Sequence, residues 1–338
     1  MIESKSLYLL ISLLIYGSLN LNCNSQVTGN HAEQKKLHLA LKIVLPHVSG
    51  RIDHITYDSV NRLAFIAALG NNTIEIVDID KAKVIRTIGQ LNEPQGVLFI
   101  ASLKRFVVAD GGNGDCLFFD ATTYALLGVV HLNEDADNIR YDETSQFVYT
   151  GYGNGAIAII DANTMKQMAD IPLDGHPESF QLSKKQNRIY INVPGEDEIE
   201  VAELSTKKLI AKWKNSNASS NFPMALDEKN NRLFIGCRSP SRLRMINIST
   251  GKNISVVNCT GDADDVFYNA SDSLVFVSGG KGFIDVFRAN EKELVQIDHI
   301  KTSAGARTSL LLSPEKKFLL AVPAQAGNPA ALWIYNLE

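Results

Sequence analysis

Cysteine is nearly absent: there are 4 in 338 residues, and one of them, Cys23, belongs to the leader-like start. The other three, Cys116, Cys237 and Cys259, show no metal-ligand spacing, which excludes a structural zinc site and a disulfide-framework scaffold. Charge of one sign is also lacking, with 33 Lys and Arg against 37 Asp and Glu and a net of −4. Without a basic field there is no source for counterion release, so nucleic acid is excluded as a partner. No apolar run approaches the roughly 20 residues of a membrane span. The G-x-S-x-G elbow, the H-E-x-x-H helix and the C-x-x-C-H haem site are missing, which removes several enzyme classes. The glycine clusters GGNG (Gly111–Gly114), GYGNG (Gly151–Gly155) and SGGKG (Ser278–Gly282) each join two strands and open no helix. They read as turns needing positive φ and not as phosphate loops.

What is present begins with Lys5 ahead of the apolar run Leu7–Ile15, a polar stretch and Cys23. That order reads as an export signal. A cysteine directly after the apolar segment resembles a bacterial lipoprotein signal. The resemblance implies a lipid on Cys23 and a place in the cell envelope, as a periplasmic or outer-membrane lipoprotein; plain secretion is the alternative. Residues 1–23 are therefore assigned to the signal, 24–36 to a polar tether, and 37–338 to one folded domain whose only membrane attachment is the lipid.

The folded part repeats. An apolar strand closes on a polar residue seven times, at Asp78, Asp120, Asp161, Glu203, Asn247, Arg288 and Asn336, with separations of 42, 41, 42, 44, 41 and 48 residues. About twenty residues before each, a polar turn introduces a second apolar strand, as in NRLAFIA and KKFLLAV. Each unit parses into four short strands, A to D, separated by Gly, Asn, Asp and Ser. A four-strand unit of this period is the blade of a β-propeller, so the expected fold is all-β with seven blades. The last unit lacks its outer strand, and LHLALKIVL (Leu37–Leu45) is an unassigned strand before the first. Pairing the two closes the ring and removes both edges.

The stretches AALGNNTIEIVD (Ala67–Asp78) and EPQGV (Glu93–Val97) resemble the YVTN-type bacterial propeller repeats, relatives of the WD40-like and quinoprotein amine dehydrogenase-like propellers. The resemblance covers the chain after residue 36. It implies the fold and leaves the function open, because such propellers include binding proteins, scaffolds and some enzymes.

Propeller function sits in the loops entering strand A and in those joining B to C. Aligned strand A entrances place Asp53, Gln95, Asp137, Glu178, Phe222, Asp264 and Thr308 in one column, with His54, Asn138, Ser179 and Asp265 beside it. Arg51, Arg238 and Arg307 fall on the same face, as does His176. Clustered carboxylates repel unless a cation intervenes. Asp53, Asp137, Glu178 and Asp264 are thus candidate ligands of calcium, magnesium or manganese, and His54 and His176 are candidate general bases. The alternative is that these acids bond loop backbone, as Asp and Asn do in turns. For the cysteines, Cys237 and Cys259 at strand ends of one blade are the candidate disulfide, with free thiols as the alternative.

Three functions remain. The preferred one is a monomeric binding or interaction protein presenting an acidic, Arg- and His-containing mouth to a small ligand or partner protein. The others are a metal-dependent hydrolase or lyase using the four carboxylates, and an accessory subunit of a redox or transport complex.

Overall fold

The computed structural model describes residues 36–338; the segment expected to be an export signal, with Cys23, and the expected tether up to residue 35 lie outside the described residues. Blade one consists of strand A (Ile55–Asp58), B (Leu63–Ala68), C (Thr73–Asp78) and D (Lys83–Ile88), hydrogen-bonded in that order. Six four-stranded antiparallel sheets have their four strands consecutive in the chain, and the seventh is the closing blade. There Ser309–Leu312, Lys317–Val322 and Ala331–Leu337 are completed by Leu37–Val44 as the outer strand. Leu41 pairs with Ile334 and Lys42 with Trp333, and the Lys42 ammonium lies 3.9 Å from the Trp333 ring centroid. Burial of Leu37 and Ile43 on this strand contributes about 1.5–3 kcal/mol apiece, which is why the ring is held shut by side chains as well as by backbone bonds.

Strands B and C are largely buried and mostly apolar because a neighbouring blade covers each of their faces, with Glu75, Glu198, Glu200, Arg244 and Asp285 among the buried charged exceptions on strand C. Seven apolar clusters fill the seven junctions, one of them built from Phe65, Ile76, Phe106 and Val108 of blades one and two. Strand D is instead largely exposed or half-buried. In Lys208–Lys214 every second side chain is exposed, the period-two pattern of a sheet edge with one wet face. All seven blades also carry a register shift at the same place, just before the polar residue that closes strand C: between Ile76 and Val77 in blade one, and between Leu39 and Leu41 on the closing strand. A bulge there turns the outer strand more sharply.

The glycine clusters form B-to-C turns. Gly114, Gly153 and Gly282 have φ of +73°, +58° and +89°, and a side chain on Gly114 would also strike the Glu134 backbone at 2.2 Å. Among the described residues the only helical pieces are three-residue 3-10 turns, and no helix is long and apolar enough to cross a membrane.

The expected Cys237–Cys259 bridge is not formed; Cys116, Cys237 and Cys259 are free thiols. Cys237 packs into the junction between blades four and five, whereas Cys259 packs toward blade six. The blade-five sheet stands between them, so their Cβ directions diverge. Burial pushes the Cys116 and Cys259 thiols up to about 12.

Candidate functional site

In blades one, three and four the A–B hydrogen-bond ladder is already running two residues before strand A, and in blades two, five and six the strand itself includes Gln95, Phe222 and Asp264. Asp53 N donates to Ala67 O at 2.7 Å and Ala67 N to His54 O at 3.0 Å; Asp137 with Gly151, and Glu178 with Asn192, repeat the arrangement. Regular backbone thus delivers these side chains to the channel mouth, in the aligned order in six blades. Blade seven differs by one position. Ala321 N donates to Thr308 O and strand A pairs Ser309 with Leu320, so Arg307 takes the place expected for Thr308. The Thr308 hydroxyl is buried and donates to Ile52 O at 3.2 Å.

The four carboxylates divide into two unlike pairs. Asp53 Oδ2 lies 2.6 Å from Arg51, although no donor there is aligned for a hydrogen bond. Asp264 is held by Arg238 and by Arg307 Nε at 2.8 Å. Arg238 in turn lies 3.6 Å from the Phe222 ring centroid, a cation–π contact that fixes its plane. Asp137 and Glu178 have no Arg or Lys within 4.0 Å among the described residues; the nearest basic nitrogen is His54 Nε2, 3.9 Å from Asp137. Burial, then the neighbouring Glu178, pushes the Asp137 carboxyl well above the usual range. Burial, then Asp264, pushes Glu178 up to about 8. Asp265 is likewise raised well above its ordinary value by burial, although it accepts from Ser309 N at 2.6 Å.

His54 sits centrally, 3.8 to 3.9 Å from Asp53, Asp137 and Asp265, too far for hydrogen bonds. His176 lies at the rim, its Nδ1 2.6 Å from Gly153 O and 3.5 Å from Asp135. Gln95 turns aside to donate to Asp135 at 3.0 Å. Asn138 is buried, and its Oδ1 accepts no hydrogen bond.

The mouth itself is a constriction. Side chains including Arg51, Asp137, Glu178 and Asp264 leave about 10 Å³, the room of one water. Below it the channel opens to about 380 Å³ between the seven A strands, with Arg140, Ser179 and Gln181 among its polar walls and Leu98, Met224 and Phe267 among its apolar ones. Larger hollows of about 570 and 720 Å³ lie among turns of the opposite face and are more open.

Arg140 escaped the sequence reading because it lies inside strand A (Ile139–Asp142), where only its neighbours in the ring make it a channel residue. The column that it shares holds Thr56, Leu98, Gln181, Ala225, Phe267 and Leu310, so a charge within an otherwise mostly apolar position was the available signal. Its guanidinium donates to Ile139 O at 2.8 Å and to Ser179 Oγ at 3.3 Å. Burial lowers its pKa. A second acid group, Asp174, Glu198 and Glu200, was also missed, but Lys212 and Lys214 lie against it.

No family model matches the chain, and no curated protein matches it. Among solved structures, a chain of "Crystal Structure of Mitotic Checkpoint Complex" superposes with a TM-score of 0.76 at 12% identity, covering 96% of this chain and 99% of that one. The chain is a seven-bladed β-propeller. At that identity the likeness carries the fold alone, so function rests on the mouth and channel.

Proposed function

We propose that this protein is an exported, monomeric binding protein of the YVTN-type propeller group that takes a small anionic or zwitterionic molecule into its channel. The observation that carries the reading is Arg140. A guanidinium drawn away from water normally has a carboxylate partner, yet the half-buried Arg140 has none within 4.0 Å among the described residues, Asp265 and Asp137 acting on it only from beyond that distance, and it spends only two donors, on Ile139 O and Ser179 Oγ. It faces a channel of about 380 Å³, inside the range of small-ligand pockets, and planar bidentate recognition of a carboxylate or phosphate is what a free guanidinium offers.

The test is calorimetry of the natively purified protein with glutamate, citrate and inorganic phosphate, alongside native mass spectrometry for a retained small molecule. Saturable binding that Arg140→Gln weakens tenfold or more is expected. Binding that the substitution leaves unchanged, or none of the probes bound and nothing retained, sinks the reading. Location belongs to the same proposal: palmitate labelling in the producing cell should mark the chain and be lost in Cys23→Ser.

A further inference from the structure

The mouth holds a group that the channel reading does not use. Asp137, Glu178 and His176 each offer a ligand atom, and these atoms all lie within 4.8 Å of one another. We propose that these three side chains bind one hard divalent cation, Mn²⁺ foremost, with the amide oxygen of Asn138 as a further ligand.

Three independent observations converge on that assignment. The first is charge: the Arg residues of the mouth are taken by Asp53, Asp262 and Asp264, which leaves Asp137 and Glu178 together with no Arg or Lys within 4.0 Å among the described residues, Arg238 and Arg51 acting on Glu178 only from farther off, and a divalent ion supplies the direct counter-charge. The second is the imidazole. A carbonyl oxygen can only accept, so the 2.6 Å contact between His176 Nδ1 and Gly153 O places a proton on Nδ1, and in the neutral ring the lone pair is then on Nε2. Metal-ligating histidines are oriented in this way by a backbone carbonyl on the other nitrogen. The third is Asn138, which is 3% exposed and lines the mouth constriction, and whose Oδ1 has no donor. A buried amide oxygen without a donor is costly to leave so unless something positive completes it.

The donor set decides the class of ion. Two carboxylates, an amide oxygen and one imidazole suit Mn²⁺, with Mg²⁺ or Ca²⁺ next, and contain no thiolate for a structural zinc. The contrast with Asp174, Glu198 and Glu200 is instructive. That group has three carboxylates where the mouth group has two, at similar compactness, but Lys212 and Lys214 already supply its positive charge.

This inference stands apart from the channel reading, because Arg140 is not among the ligands and a ligand in the channel binds with or without the ion. Full-length protein stripped with EDTA is titrated calorimetrically with MnCl₂, then with CaCl₂, MgCl₂ and ZnCl₂. One equivalent of Mn²⁺ is expected, weakened tenfold or more by Glu178→Gln and by Asp137→Asn and unchanged by Asp174→Asn. Electron spin echo spectra of the Mn²⁺-loaded wild type should show coupling to one ¹⁴N, a measurement that needs no variant to fold. No Mn²⁺ binding at 1 mM, binding lost in Asp174→Asn and kept in Glu178→Gln, or Mn²⁺ without nitrogen coupling each overturns the proposal.

Discussion

The acids at the two ends of the same sheets behave in opposite ways. At the face away from the mouth, Asp120 accepts from Thr122 N at 2.9 Å and Thr123 N at 2.7 Å, and Asp161 from Asn163 N at 2.8 Å and Thr164 N at 2.9 Å. Those backbone bonds hold both carboxyls below their ordinary range. At the mouth, Asp137 and Glu178 accept nothing from backbone and are raised, chiefly by burial. Both ends carry carboxylates; what differs is the burial and the supply of donors. Turn acids stabilise the loop that bonds them, whereas acids collected at a ring axis without donors destabilise the empty protein and are suited to something that arrives from outside.

The largest test of that contrast is Asp227→Ala. Asp227 closes strand A of blade five, and its carboxylate is buried against Arg232, with Nη2 at 2.6 Å and Nε at 3.0 Å. Burial works against its charge, but the bonds from Asn230 and Arg232 outweigh it and hold the pKa down. Removing the acid strands a buried guanidinium, so a loss of about 3–5 kcal/mol is expected, read from the urea midpoint. A loss under about 1 kcal/mol would mean that Arg232 finds another partner and the pair is incidental.

Glu178→Gln should act in the other direction. In metal-free protein the folded pKa is about 8 against an ordinary 4.5. The group's contribution is therefore full below about pH 4.5 and lost as pH rises through 8. Wild-type stability declines across that window and the Gln variant does not follow it, ending about 1–3 kcal/mol more stable at pH 8. Melting temperatures from pH 5 to 9 in EDTA check this; parallel curves for the two proteins refute it.

The repeat was legible because each strand must be covered on two faces, and that demand is written in apolar runs at a fixed period. Closure by Leu37–Val44 was legible for the same reason: a lone apolar strand and an incomplete blade need one another. The column of mouth residues could be read in six blades. In the seventh, the approach TSAGART (Thr302–Thr308) has no apolar marker to set its register, and Arg307 was misplaced by one. The division of the carboxylates was not legible. Which Arg reaches which Asp depends on how loops from different blades meet in space, as when Arg238 in one blade meets Asp264 in the next. The cysteine pairing failed on face parity, since strand-end proximity in sequence does not say which side of the sheet a thiol takes.

The finest test compares substitutions at one turn. Asp161→Ala removes two accepted backbone bonds from a solvated loop and should cost about 0.5–1.5 kcal/mol. Its pH signature is the reverse of Glu178's. A lowered pKa means that the contribution is present above the ordinary value of 3.8 and lost as pH falls through the folded one, so the Ala variant should lose less stability on acidification than the wild type. Asp161→Asn is expected to cost less than Ala at pH 7, because the amide oxygen can still accept both bonds, though without the charge that strengthens them. Blade five already shows such an acceptor: Asn247 stands at the same closing position and accepts from Ser249 N at 2.8 Å. If Asn at 161 cost as much as Ala, charge and not hydrogen-bond geometry would be holding the turn, and the distinction drawn between the two ends of the blade would fail at its simplest point.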